Sequence, residues 1–209
     1  MDWSVLLLFW AGFGLAVLSP GPNFAMLLGT ATREGRGAAV AAASGMAAGE
    51  LLWGFAAVWG VAALAAAHPW LMQGVAWGGG TFLLFLAVQC WRAAWRGAAV
   101  ELEEGVAPPR GQGFAQGFMR GLAVMLLNAK AVAFWVALAG VLVSAGATRA
   151  TVVAAVLGAA ALSLAWHTVL AVALSAATVT RFYQRIQRGF DAVLGTVLAG
   201  LGVRLLGAS

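Results

Sequence analysis

LSPGPNFAML, residues 18–27, interrupts a stretch from Trp3 to Thr32 that carries no charged residue. Pro20 and Pro22 offer no backbone N–H, and each pushes its predecessor, Ser19 and Gly21, out of the α region. A helix running through this apolar sequence must therefore break near Ser19–Asn23. A soluble loop would tolerate such a break equally well, so the flanking sequence decides what kind of break it is.

The flanks are membrane sequence. Of 209 residues, 63% are hydrophobic and 9% charged, with mean hydropathy +0.92; soluble domains carry about 25% charged residues. A single cysteine, Cys90, excludes an intrachain disulfide, and two distant histidines, His68 and His167, make no metal-ligand cluster. The net charge of +5 would suggest nucleic acid in a soluble protein. Here the basic residues sit in loops, where a membrane protein places them, and no nucleic-acid partner is expected. The start, Met-Asp-Trp, has no basic n-region, so the first apolar segment reads as a retained span.

A span needs roughly 20 apolar residues. Six candidates fall at about 3–32, 38–67, 70–91, 114–145, 150–178 and 190–208. A polar stretch with Glu101, Glu103, Glu104 and Pro108-Pro109 separates the third from the fourth and reads as a solvated loop. Nine arginines lie on one side of this arrangement (Arg33, Arg36, Arg92, Arg96, Arg110, Arg120, Arg181, Arg185 and Arg188), against Arg149 and Arg204 on the other. The positive-inside rule then places the three basic loops in the cytoplasm and both termini outside. Arg181, Arg185 and Arg188 share one helical face in TRFYQRIQRGF, which reads as a short helix on the anionic inner surface or as a plain solvated loop.

The chain resembles itself. A shift of 113 residues carries Arg36, Gly45 and Trp53 onto Arg149, Gly158 and Trp166, and a shift of 115 carries GTFLLFLAV (80–88) onto GTVLAGLGV (195–203). Repeats of three spans each have opposite orientations, the plan of secondary transporters whose sites form at broken helices. The partner of the first break is LLNAKAVAFW in span four, where a shift of 105 aligns Asn128 with Asn23.

SPGPN late in span one, REGRGAAVAAASGMAAGELLWG after it and LLNAK in span four resemble the LysE/RhtB family of amino-acid exporters. The resemblance extends over essentially the whole chain. It implies a bacterial inner-membrane carrier that exports amino acids or close derivatives, driven by the proton gradient. Two positions depart from the family pattern: Ala129 stands where a proline is usual, and span three lacks a tyrosine common there.

Several intramembrane polar residues then acquire candidate roles. Pro20, Gly21, Pro22 and Asn23 end one helix and let another begin, with proline suited to the first helical position. The new helix N-terminus would direct its N–H groups and partial positive charge at a substrate carboxylate; a kink satisfied by neighbouring helices is the competing reading. Asn128 can cap a helix starting at Ala129. Lys130, about 16 residues into its span, carries a charge that costs about 3 kcal/mol or more to bury. It serves either as a carboxylate contact or as counter-ion to Glu50, unless it snorkels. Glu50 lies about 12 residues, roughly 18 Å, into span two. A carboxylate there suits proton coupling or a substrate ammonium, and a structural pair with Lys130 is the alternative. Trp166 and His167 in span five either line a cavity or pack.

The sequence thus predicts an all-α membrane protein of six transmembrane helices, built as two inverted three-helix repeats with helices one and four broken. It reads as one transporter domain over 1–209, with repeat one about 3–92, a cytoplasmic loop about 93–113 and repeat two about 114–209. The expected function is proton-coupled export of amino acids, with no cofactor and no metal. Its partners are the lipid bilayer, protons and an amino-acid-like solute, with homo-oligomerisation left open. Export of another small solute or ion stays open as well. A membrane-embedded enzyme is disfavoured, because the chain has no histidine-acid cluster, no paired carboxylates and no well-placed Ser-His-Asp set.

Overall fold

The computed structural model describes residues 2–18, 22–68, 70–96, 113–173 and 177–207, apart from certain side chains within the helices, among them those of Pro22, Ala129, Lys130 and residues 177–187. Every element within these residues is a helix: α1 (Trp3–Leu18), α2 (Pro22–Arg33), α3 (Arg36–Ala67), α4 (Leu71–Arg96), α5 (Phe114–Leu127), α6 (Ala129–Ser144), α7 (Arg149–Ala173) and α8 (Ala177–Gly207). A bilayer has no water to satisfy backbone groups, so each apolar segment must close its hydrogen bonds internally. α3 and α7 are each long and apolar enough to cross a membrane alone, and the pairs α1/α2 and α5/α6 are so when each is taken as one bent span.

Both expected breaks are present. α1 and α2 are bent by 51° and α5 and α6 by 64°. The second break forms with Ala129 in place of the usual proline, because Asn128 supplies the geometry. Its backbone is extended (φ −77°, ψ 95°), its N–H donates to the Met125 carbonyl, and its Oδ1 accepts from the Ala131 N–H at 3.3 Å. That last bond is an N-cap on the first turn of α6. In the first break, α2 begins at Pro22, while Ser19, Pro20 and Gly21 lie outside the described residues.

One expectation needs correction. The basic stretch around Arg181–Arg188 is neither a separate surface helix nor a loop: α8 runs without interruption from Ala177, well before the expected start of span six at 190. No proline stands between Arg181 and Asp191 to end a helix, and α8 continues through Gly189, so one turn propagates into the next.

Small residues set the helix packing. A Cβ at Gly121 would overlap the Ala42 carbonyl, one at Gly117 the Ala38 carbonyl and one at Gly45 the Phe118 carbonyl, so the backbones of α3 and α5 touch. The small-xxx-small spacing on both helices permits this approach. The pairs advance together (41 with 117, 45 with 118 and 122, 49 with 125), so α3 and α5 run parallel. α4 and α8 run antiparallel: Gly80 faces Gly202 and Leu206, while Gly195 faces Ala87 and Trp91. The α2–α3 turn requires Gly35, whose φ of 92° an L side chain rarely adopts.

Two apolar clusters fill the interior. The larger joins α1, α3, α4, α6, α7 and α8 around Phe9, Phe13, Trp135 and Leu138. The smaller joins α2, the first half of α3 and the end of α7 around Phe24, Leu27, Met46 and Leu170. At the head of α1, Asp2 accepts hydrogen bonds from the Ser4 hydroxyl at 2.7 Å and the Ser4 and Val5 N–H groups. These bonds, the Ser4 hydroxyl first, hold its carboxyl below the usual carboxylate range.

Candidate functional site

Residues of both apolar clusters wall a cavity of about 80 Å³, placed where the two helix breaks meet. That is room for several waters or one small solute. Asn23 and Phe24, in the first turn of α2, line it, and so do Asn128 and Ala131, the cap and first turn of α6. The Asn128 Nδ2 approaches the Asn23 Oδ1 at 3.5 Å, and the Asn23 Nδ2 approaches the Met125 sulfur at 3.5 Å. These are loose contacts, and the Asn23 amide can turn toward a guest, whereas the Asn128 Oδ1 holds the cap of α6. Two helix N-termini thus converge here, each with a partial positive charge.

The opposite chemistry comes from α3 and α7. Glu50 is 4% exposed and lines the cavity. The Trp135 indole N–H, from the second turn of α6, donates to its Oε2. His167, 3% exposed, also lines the cavity, and its Nδ1 lies 2.9 Å from the Ser163 carbonyl and 3.1 Å from the Ser163 hydroxyl. A carbonyl oxygen can only accept, so Nδ1 carries a proton, and in the neutral ring Nε2 keeps its lone pair.

Aromatic rings close one wall. Phe13 stacks on Phe9 at 6.5 Å between ring centres and meets Trp135 at 5.5 Å and Phe134 at 6.4 Å. Beyond the cavity, Arg120 of α5 forms an ion pair with Glu34 in the α2–α3 turn. The Glu34 side chain is 2% exposed, and its Oε2 has no hydrogen-bond partner within the described residues.

Of the residues singled out from sequence, Asn23, Asn128 and Glu50 are gathered around one cavity. Pro22 opens α2 beside them, and Pro20 and Gly21 lie outside the described residues. Lys130 is the second residue of α6, with its side chain outside the description. Of the two span-five candidates, His167 lines the cavity, whereas Trp166 packs against the smaller cluster. Trp135, Phe13 and the Glu34–Arg120 pair were not foreseen. The first had a legible signal: once a helix starts at Asn128, positions 128, 131 and 135 share a face. Among the described residues, no group of three His, Cys, Asp or Glu side chains is placed to hold a metal ion.

A cavity at the meeting of two bent helix pairs, in a bundle whose helices are apolar enough to cross a membrane, is the architecture of a small-solute translocator. The sequence model of the LysE type translocator family matches residues 7–209, and the chain belongs to that family. It is 28% identical over 194 residues to the threonine efflux protein of Escherichia coli (strain K12), covering 92% of each chain. It is 28% identical over 196 residues to that of Salmonella typhi, again covering 92% of each. It is 30% identical over 210 residues to an uncharacterized membrane protein, PA4757, of Pseudomonas aeruginosa, covering 96% of this chain and 95% of that one. No solved structure matches. The family is one of translocators, not of enzymes.

Proposed function

We propose that the protein exports amino acids or close derivatives across the bacterial inner membrane, in exchange for protons. The observation that carries this reading is the polarity of the cavity. Helix N-termini, asparagine amides and a buried carboxylate line it together, the complements of the two ends of a zwitterion. The substrate carboxylate would sit at the starts of α2 and α6, with Pro20, Gly21, Pro22, Asn23, Asn128 and Lys130 forming that end. Glu50 would take the ammonium and, between substrates, the proton. The threonine efflux proteins among the relatives favour an amino-acid cargo.

The architecture we infer has six spans (α1/α2, α3, α4, α5/α6, α7 and α8) in two inverted repeats, with both termini outside. The contacts between α4 and α8 support it. The shift of 115 residues exchanges Gly80–Gly202 with Gly195–Ala87 and Gly80–Leu206 with Gly195–Trp91, and all four contacts occur. Gly45 and its counterpart Gly158 both receive a close neighbour, the Phe118 carbonyl and the Trp10 indole respectively. Asn23 and Asn128 touch, as counterparts on a two-fold axis should.

A toxicity panel tests the function. Cells expressing the protein are challenged with each amino acid and with dipeptides, and relief from at least one amino acid is expected. Relief by none, with the protein present in the membrane, would sink the proposal.

A further inference from the structure

His167 has one ring nitrogen engaged and one unengaged. Its Nδ1–H is held by the carbonyl of Ser163, one turn earlier on α7. His167 is 3% exposed and lines the same cavity as Asn23, Glu50 and Asn128. Among the described residues, no partner reaches Nε2. An unengaged acceptor on a cavity-lining ring is available to a donor that enters the cavity. Glu50 lines the same cavity with Oε2 engaged by Trp135, so among the described residues Oε1 is the carboxylate oxygen left for a guest.

We propose that His167, fixed as its Nδ1–H form by Ser163, is a second acceptor for the substrate ammonium group, beside Glu50. The assignment rests on the reading of this cavity as an amino-acid site. An unsubstituted ammonium carries three N–H donors, enough for a carboxylate oxygen and an imidazole nitrogen together. Because the second acceptor is neutral, the ammonium faces one negative charge and not two. The site therefore favours solutes whose ammonium keeps at least two N–H donors, and N,N-dialkylated amino acids, with one N–H left, lose the bond to His167.

Two near-isosteric substitutions separate the two ring nitrogens. His167→Asn keeps a polar group at the Nδ1 position, within reach of Ser163, and removes the acceptor at Nε2. His167→Gln places an amide oxygen near Nε2. The twenty common L-amino acids, radiolabelled, are titrated in turn against the purified protein by equilibrium dialysis, and the tightest binder is carried forward. His167→Asn should weaken its binding about tenfold or more, the scale of a hydrogen bond to a charged group, and His167→Gln should stay within about threefold of the parent. For the N,N-dimethyl derivative of the same amino acid, the parent and His167→Asn should differ by less than about threefold. Undiminished binding by a folded His167→Asn protein, or an equal loss for the dimethyl derivative, overturns the assignment while leaving the amino-acid site intact. Binding of none of the twenty by the folded parent overturns both. If His167→Asn fails to fold, His167→Gln decides: tenfold weaker binding by that variant overturns the role of Nε2.

Discussion

Glu50 and Glu34 are both almost fully buried, yet they answer to different partners. Glu50 has an indole donor and a cavity beside it and, among the described residues, no ion-pair partner, so its carboxylate is placed to lose and gain a proton. Glu50→Gln should therefore leave the fold intact and abolish the dependence of transport on a pH gradient. Proteoliposomes assayed with and without the gradient give the measurement, and unchanged gradient dependence would remove Glu50 from the coupling. Glu34 instead faces the fixed charge of Arg120. Removing one member of a buried pair strands the other, at a cost of about 3–5 kcal/mol. Arg120→Ala should lower the thermal midpoint in detergent well below that of Glu34→Gln/Arg120→Gln, in which no charge is left buried. Equal midpoints would mean that Glu34 is solvated.

At the scale of the element, the two breaks reach similar geometry by different means. Pro22 opens α2 in the first, while in the second an asparagine side chain caps α6 and no proline is needed. If the break in the first pair serves to present N–H groups to a carboxylate, its geometry matters more than its side-chain bulk. Pro20→Ala with Pro22→Ala should let the helix run through and pair those groups with carbonyls four residues back. The protein should still insert and gain stability, since proline within a helix costs about 3 kcal/mol. Substrate binding should be lost, and the methyl ester of the substrate should already bind the parent weakly. Titration of both proteins with acid and ester is the check. Equal binding of acid and ester by the parent, retained in the double variant, would reduce the break to a kink.

For the whole molecule, relative directions follow from contacts and absolute direction from charge. Asp2 meets Thr151 at 3.4 Å, which puts the head of α1 beside the head of α7. Glu34 meets Arg120, which puts the α2–α3 turn beside the first half of α5. The nine-to-two asymmetry of arginines then predicts that the second of these ends faces the cytoplasm. Single cysteines placed at Asp2 and Gly146 in intact cells should react with an impermeant reagent, and one at Gly37 should not. The reverse pattern would invert the topology.

The sequence by itself determined the class of protein, because membrane solvation leaves a chain this apolar little choice but helices. It also determined where two of those helices break, because proline and asparagine act on their immediate neighbours. The membership in a translocator family was legible in the same local motifs. It did not determine which side chains share a cavity. Asn23, Glu50 and His167 come from three helices and Asn128 from the α5–α6 junction, and only the packing of α3 on α5 and α7 brings them together. Nor could it reveal that Glu50 is answered by Trp135, or Glu34 by Arg120, each some 85 residues away along the chain. Local rules act over one or two helical turns, whereas these partnerships depend on how closely two backbones approach. That distance is set at Gly45, Gly117 and Gly121, where the absence of a side chain lets α3 and α5 touch.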